Sequence, residues 1–259
     1  MSVNLLEVKS ATMQFGGLKA VDSLDLCIQR GQLAGLIGPN GAGKTTVFNM
    51  LTGVYQPTSG EIIFNGNSLV GLKPFEICHQ GIARTFQNIR LFKNLSVLDN
   101  VLIASHQHVQ YGLRDVFFQT HLFNKEEREF ANKAMELLKI FGLSSKSEEK
   151  AGSLPYGEQR KLEIVRALAT DPDLICLDEP AAGMNHAETH ELMETIARIR
   201  QDFDLTILLI EHDMKLVMGI CENIFVLDHG VKIEEGAPSR IQSSQKVIEA
   251  YLGVDEEHA

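Results

Sequence analysis

The sequence predicts an α/β protein built on a mainly parallel sheet, and three observations carry that expectation. "LAGLIG", residues 33–38, is a short continuous apolar run suited to a strand buried on both faces, and a glycine-rich turn and an apolar helical run follow it at once. Further on, strand-like and helix-like segments alternate through "DLICLDEP", "AETHELMETIARIR" and "LTILLIEHD", the pattern of parallel βαβ units. With 259 residues, 44% of them hydrophobic, the chain is long enough to bury a full core.

The elements follow in order. "NLLEVKSATMQF" and "VDSLDLCI" read as strands ahead of "LAGLIG", and "TTVFNMLTGV" reads as a helix closed by Gly53 and Pro57. From about Leu95 to Leu143 the pattern turns helical. It is clearest in "KEEREFANKAMELLKIFGL", where Phe130, Ala134, Leu137, Leu138 and Phe141 share one face and Gly142 suits a C-terminal cap. The aromatic stretch "QHVQYGLRDVFFQTHLF" between Gln107 and Phe123 reads as core of this helical part in preference to a contact surface. "SLPYGEQRKLEIVRAL" is a small-residue turn carrying Gly157 that runs into a basic amphipathic helix. After "DLICLDEP", the helix "AETHELMETIARIR" presents Leu192, Ile196 and Ile199 on one face, and "LTILLIEHD" is a further buried strand. "NIFVLDHGVKIEEG" predicts an antiparallel hairpin around His229 and Gly230, and "IQSSQKVIEAYLG" a short helix ending at Gly253, ahead of an acidic tail from Asp255 to Glu257.

Composition narrows the function classes. The formal charge of −10, from 34 acidic against 24 basic residues, sets the surface as a whole against nucleic acid and anionic lipid. No apolar run reaches the roughly 18 to 20 residues that cross a bilayer, and "MSVNLLEVKSA" has no secretory pattern, so a cytosolic chain is expected. Cys27, Cys78, Cys176 and Cys221 lack paired spacing and read as buried reduced thiols, and the nine histidines show no zinc-ligand spacing.

The chemistry concentrates in a few places. Gly38, Pro39, Asn40, Gly41, Ala42, Gly43, Lys44 and Thr45 satisfy GxxxxGK[ST] between a strand and a helix, with Thr46 following. The glycines let backbone N–H groups curl around a polyphosphate, and the helix start faces its charge. Lys44 is suited to the β and γ phosphates of a nucleotide and Thr45 to Mg²⁺ through its hydroxyl. At the end of an apolar strand, Asp178 suits a metal partner and Glu179 can orient or deprotonate an attacking water. The plain alternative is a pair of solvated strand-end charges. His212 closes another apolar strand, where it can hydrogen-bond the γ-phosphate or be a simple loop residue. Gln87, in "GIARTFQNIRLF", offers a neutral amide to Mg²⁺ or water at the junction with the helical region. Phe15 can stack on a nucleobase or belong to the core.

The ordered set of Phe15, "GPNGAGKTT", Gln87, "SLPYGEQ", "LICLDEP" and "IEH" resembles the ATP-binding cassette (ABC) ATPases over essentially the whole chain. "GIARTFQNIRLF", "LDEPAAGMN", "IEHDM" and "VIEAYLG" are similar to the ATPase subunits of branched-chain amino acid importers, with the ATPase of a related urea or amide importer or of a lipopolysaccharide-export system as the alternative reading. A soluble cassette ATPase fits less well, since neither tandem cassettes nor a long coiled coil is visible. The resemblance implies a P-loop NTPase core with an antiparallel β subdomain and an inserted helical subdomain. The expected division is a core of residues 1–88 and 170–235, a helical signature part 89–169, and a helical tail 236–259. It also implies ATP and Mg²⁺, a second ATPase subunit, membrane permease subunits met near "NIRLF" and Phe92, indirectly a substrate-binding protein, and a place on the inner face of the cell membrane. Gln87, Glu179 and His212 would serve hydrolysis; Thr45, Gln87 and Asp178 would hold the metal.

In such dimers the signature motif of one chain faces ATP held on the phosphate loop of the other. Here Pro155, Tyr156, Gly157, Glu158 and Gln159 take that place, and the resemblance is imperfect. Pro155 stands where the family has a serine hydroxyl, Tyr156 replaces a glycine, and Asn185 replaces an aspartate in the loop after Glu179. These departures put hydrolysis by a homodimer in doubt, while Lys44, Asp178, Glu179 and His212 are all present.

Overall fold

The computed structural model describes residues 4–252. The chain opens with β1 (Asn4–Phe15), β2 (Leu18–Gln29) and β3 (Leu33–Ile37), then α1 (Lys44–Leu51), β4 (Ser59–Phe64), β5 (Asn67–Ser68), α2 (Pro74–His79) and β6 (Ile82–Arg84). Helices α3 (Val97–Ser105), α4 (Leu113–Phe118), α5 (His121–Ile140) and α6 (Tyr156–Leu168) come next. The alternation then resumes with β7 (Leu174–Asp178), α7 (His186–Asp202), β8 (Thr206–Ile210) and α8 (Met214–Ile220). β9 (Asn223–Asp228), β10 (Val231–Gly236), α9 (Pro238–Ser243) and α10 (Gln245–Leu252) complete the order. Two compact units emerge: one holds residues up to 84, 173–179 and those from 197 onward, the other 85–172 and 180–196.

The first unit carries both sheets. Strands β2-β1-β4-β5 form an antiparallel sheet, and β10-β9-β3-β8-β7-β6 form a second in which every neighbouring pair except β9 with β10 is parallel. Every residue of β3, β7 and β8 is buried, which is why these strands read as unbroken apolar runs. One core joins the antiparallel strands, through Leu6, Leu24 and Phe64, to α1, through Val47 and Phe48, and to the parallel sheet, through Leu36, Cys176 and Phe225. The turn between β9 and β10 has His229 and Gly230 at φ 44° and 81°, the left-handed pair a two-residue hairpin requires. Gly230 also donates to the Ala42 carbonyl at 3.0 Å and accepts from the Asp22 N–H at 2.9 Å, tying the phosphate loop to β2.

The second unit is helical. Ser96 caps α3 through the Asp99 N–H at 3.0 Å, with the Asp99 carboxylate returning to the Ser96 N–H. The face of α5 that buries Ala134, Leu137 and Leu138 is the one the spacing indicates, and Gly142 follows its end at φ 72°.

Four expectations are corrected. The stretch from Gln107 to Phe123 is not core: Leu113, Phe117 and Phe118 are 90%, 80% and 72% exposed. Gly157 is not in a turn but in the first turn of α6, with Pro155 at its N-cap position. Cys27 and Cys78 are half-buried, whereas Cys176 and Cys221 are buried; all four are free thiols. The C-terminal helix is two helices, broken at Ser244 where the backbone turns extended. Its expected end at Gly253 and the tail from Asp255 to Glu257 lie outside the described residues.

Candidate functional site

The phosphate loop in the first unit is shaped by glycines that do different jobs. Gly38 runs so close to the Leu227 carbonyl that a Cβ there would collide with it, and Gly43, at φ 101°, leaves a Cβ 2.5 Å from the Ala20 carbonyl. Gly41 has φ 81° and open space around it, so it supplies conformation alone. Gly43 is also the N-cap of α1, and having no side chain it leaves the first N–H groups of the helix without a capping oxygen. Those groups and the helix dipole favour an anion there. Lys44 donates to the Gly38 and Pro39 carbonyls at 2.6 and 2.9 Å. Burial holds its ammonium below the ordinary lysine value, while the charges of Glu179 and Asp178 pull the other way. Thr45 is exposed and Thr46 half-buried.

The parallel pairing of β3, β8 and β7 sets their carboxyl ends side by side, and the other candidate groups of the first unit stand there. Asp178 is the last residue of β7 and is buried. Glu179 follows with φ 47°, a left-handed backbone that costs a side-chain-bearing residue energy, and its N–H donates to the Ile210 carbonyl at 2.9 Å. His212, two residues beyond β8, brings Nδ1 to 3.9 Å from Glu179 Oε1 and 3.7 Å from Glu211 Oε2. Its ring is 71% exposed, so it can meet a ligand from solvent.

Two groups here escaped the sequence reading. Arg84 ends β6, next to β7, and its Nη2 donates to Asp178 Oδ2 at 2.9 Å. Its Nη1 reaches Asn49 Oδ1 at 2.6 Å and its guanidinium lies over the Phe48 ring. Glu211 is 2% exposed and accepts from the His212 N–H at 3.3 Å. A charge directly after an apolar strand was the available signal for Glu211; Arg84 closes a strand of only three residues and had no such signal. The donor set suits magnesium, which keeps waters and substrate oxygens and needs only one or two protein groups, here the Asp178 carboxylate and the Thr45 hydroxyl. Among the described residues no cluster of three His, Cys, Asp or Glu would hold a metal unaided. Phe15 meets Tyr55 edge to face with centroids 5.2 Å apart and stays 43% exposed, leaving a ring surface for a base.

The second unit holds Gln87 and the signature residues. Gln87 lies in irregular backbone, its carbonyl accepting from the Arg160 guanidinium. Gly157 has no internal reason to be glycine: its φ is ordinary, and an added Cβ would find only Glu188 and Met184, at 3.6 Å and beyond. Tyr156 lies against Gly183, where a Cβ would be 2.8 Å from its ring. Glu158 pairs with Lys146 at 2.6 Å, and Gln159 donates to the Leu154 carbonyl at 2.8 Å. Asn185 accepts from the Ala187 and Glu188 N–H groups, both at 3.0 Å, so it caps α7, a task for which asparagine and aspartate serve alike.

A family model described as ABC transporter matches residues 21–182, and one described as branched-chain amino acid ATP-binding cassette transporter matches residues 231–257. The chain is 46% identical over 253 residues to the high-affinity branched-chain amino acid transport ATP-binding protein BraF of Pseudomonas aeruginosa, covering 98% of this chain and 99% of that one. Identity and coverage are the same against LivG of Escherichia coli K12, which carries the same description. Among solved structures, the ADP conformation of MJ1267, an ATP-binding cassette of an ABC transporter, matches with a TM-score of 0.84 at 32% identity, covering 98% of this chain and 100% of that one.

Proposed function

The chain belongs to the ABC transporter family of ATPases, and from that premise we propose that it is the ATP-hydrolysing subunit of an importer for branched-chain amino acids. The observation that carries the reading is the gathering of Lys44, Asp178, Glu179 and His212 at the carboxyl ends of adjacent parallel strands. Lys44 and the open N–H groups of α1 bind the β and γ phosphates. Asp178, Thr45 and Gln87 are the residues that would hold magnesium, which when bound would offset charge on the phosphate oxygens. Glu179 takes a proton from the water that attacks the γ-phosphorus as the bond to ADP breaks, and His212 hydrogen-bonds the γ-phosphate. Phe15 stacks on the base.

The turn from Pro155 to Gln159 completes the site of a second ATPase subunit, so ATP closes the pair and hydrolysis parts it. Permease subunits take the region of Phe92 and hold the chain at the inner face of the membrane, and a substrate-binding protein delivers cargo to them. Pro155 brings no hydroxyl to the phosphate, so the site this chain completes is weaker than its own phosphate loop, and a partner with an intact signature is favoured.

Uptake tests the reading. Cells lacking this chain should lose labelled leucine import, regain it with the native sequence and not with Glu179→Gln; loss of urea import instead would overturn the substrate class. The purified Glu179→Gln chain, sedimented with and without Mg-ATP, decides self-pairing: a dimer formed only with nucleotide makes one chain sufficient, and a monomer that binds ATP makes a different cassette the partner.

A further inference from the structure

The stretch from Phe86 to Leu95 belongs to no helix or strand, yet its main chain is held by a row of side chains from α6. Arg160, its side chain 3% exposed, donates from Nη1 to the Phe86 carbonyl at 2.8 Å and from Nη2 to the Gln87 carbonyl. One turn on, Glu163 accepts from the Arg90 N–H at 3.3 Å and stands 3.5 Å from Arg160. Arg166 donates to the Arg90 carbonyl and lies over the Phe92 ring. At the other end of the row, the Arg160 guanidinium lies 5.4 Å from the centroid of Tyr156, whose ring rests on Gly183 in the loop that follows Glu179 in sequence.

We propose that Tyr156 and Arg160 are positioning residues that act as one relay, tying the phosphate-facing turn of α6 and the loop around Gly183 to the main chain that carries Gln87. The inference rests on the reading of Pro155–Gln159 as a signature turn and of Gln87 as a metal ligand. Tyr156 meets Arg160, and Arg160 in turn holds the Phe86 and Gln87 carbonyls, which gives Tyr156 a route to that main chain. The arginine is suited to the task because its planar fork serves two successive carbonyls at once, which a lysine ammonium on a flexible stem does not. Two N–H···O bonds from a buried charged donor fix the carbonyls of Phe86 and Gln87, and therefore the backbone from which the Gln87 amide extends. Tyr156 thus has a purpose in the signature turn that a glycine does not serve.

The test is a double-mutant cycle on the full chain, in whatever assembly hydrolyses ATP. Arg160→Met should lower kcat about tenfold or more while KM for ATP moves less than about threefold, the split expected when positioning and not ground-state binding is lost. Arg160→Lys should not rescue it. Tyr156→Ala should lower kcat less, and the pair together should fall no further than Arg160→Met alone, since a residue acting through another is not additive with it. Additive losses, or an unchanged kcat with only a lower melting temperature, would overturn the relay. Hydrogen exchange keeps the question open to decision even where Arg160→Met does not fold: amides of residues 86–92 should exchange faster in Tyr156→Ala, and unchanged exchange there overturns the proposal. A native chain that neither binds nor hydrolyses Mg-ATP would instead defeat the underlying reading of function, while the exchange result would stand by itself.

Discussion

The phosphate loop ahead of α1, residues 38–43, and the stretch from Phe86 to Leu95 are both irregular backbone, and they are held in shape by opposite means. The loop is made by the chain's own freedom: left-handed glycines, one of them against the Leu227 carbonyl, and backbone ties such as Gly230 to Ala42. The second stretch has no glycine, and borrowed side chains hold it. Arg160, Glu163 and Arg166 come from α6, while Asn100 of α3 accepts from the Phe92 N–H at 2.9 Å and donates to the Phe92 carbonyl at 3.1 Å. A loop built from glycine leaves its N–H groups free for a ligand. A loop pinned by buried polar side chains spends its main-chain groups on its own protein and keeps one shape.

The largest expected effect attacks the ligand-facing side of that contrast. Glu179→Gln should cut phosphate release by a factor of about 10²–10⁴, the range for loss of a general base, while Mg-ATP binding by the purified chain persists. If binding is lost as well, Glu179 helps build the site and does not merely act in it. Arg84→Met comes next. It removes the arginine from its ion pair with the Asp178 carboxylate, both side chains being under a tenth exposed, and should cost about 3–5 kcal/mol in a denaturant titration. Restoring much of that loss by adding Asp178→Asn would identify the uncompensated charge as its cause.

Asn100→Ala probes the pinned stretch. Two main-chain groups of Phe92 lose their partner at a residue with no exposure, so about 1–3 kcal/mol of stability should go, with ATP affinity unchanged. A fall in affinity would mean the two loops do not divide the work as described. Gly41→Ala should be milder, about 1–2 kcal/mol, because φ 81° is its only obstacle. The smallest effect concerns pH. Burial raises the Glu163 carboxyl above its ordinary 4.5, opposed by the Arg90 N–H and the Arg160 charge. The folded state therefore binds the proton more tightly than the unfolded chain, and the stability this contributes is complete below 4.5 and lost as pH rises through the raised value. Glu163→Gln should flatten that part of the stability profile; an unaltered slope would remove Glu163 from the titrating groups.

The same contrast explains what the sequence makes legible. Continuous apolar runs announce β3, β7 and β8, because a strand buried on both faces leaves no polar position, and the strand–turn–helix context announces the phosphate loop. His212 and Glu179 are readable as the residues that follow such strands. Arg84 and Arg160 are not, since each acts through partners 94 and 73 positions away, and no local spacing records a contact of that range. The misreading of Gln107 to Phe123 has a related cause: aromatic content signals burial only where neighbouring elements supply a wall, and Phe117 and Phe118 pack on each other instead. Gly157 was expected in a turn because glycine commonly breaks helices. It sits in the first turn of one here.

Glu179 sits in a conformation that glycine or asparagine would occupy at less cost than a residue with a longer side chain. A library of variants at this position, ranked only by heat resistance, should therefore place Glu179→Gly and Glu179→Asn above the native chain. Both would lack the carboxylate proposed to take the proton. Any programme to harden this protein by directed evolution must score turnover alongside survival, or it will enrich sturdy chains that no longer hydrolyse ATP.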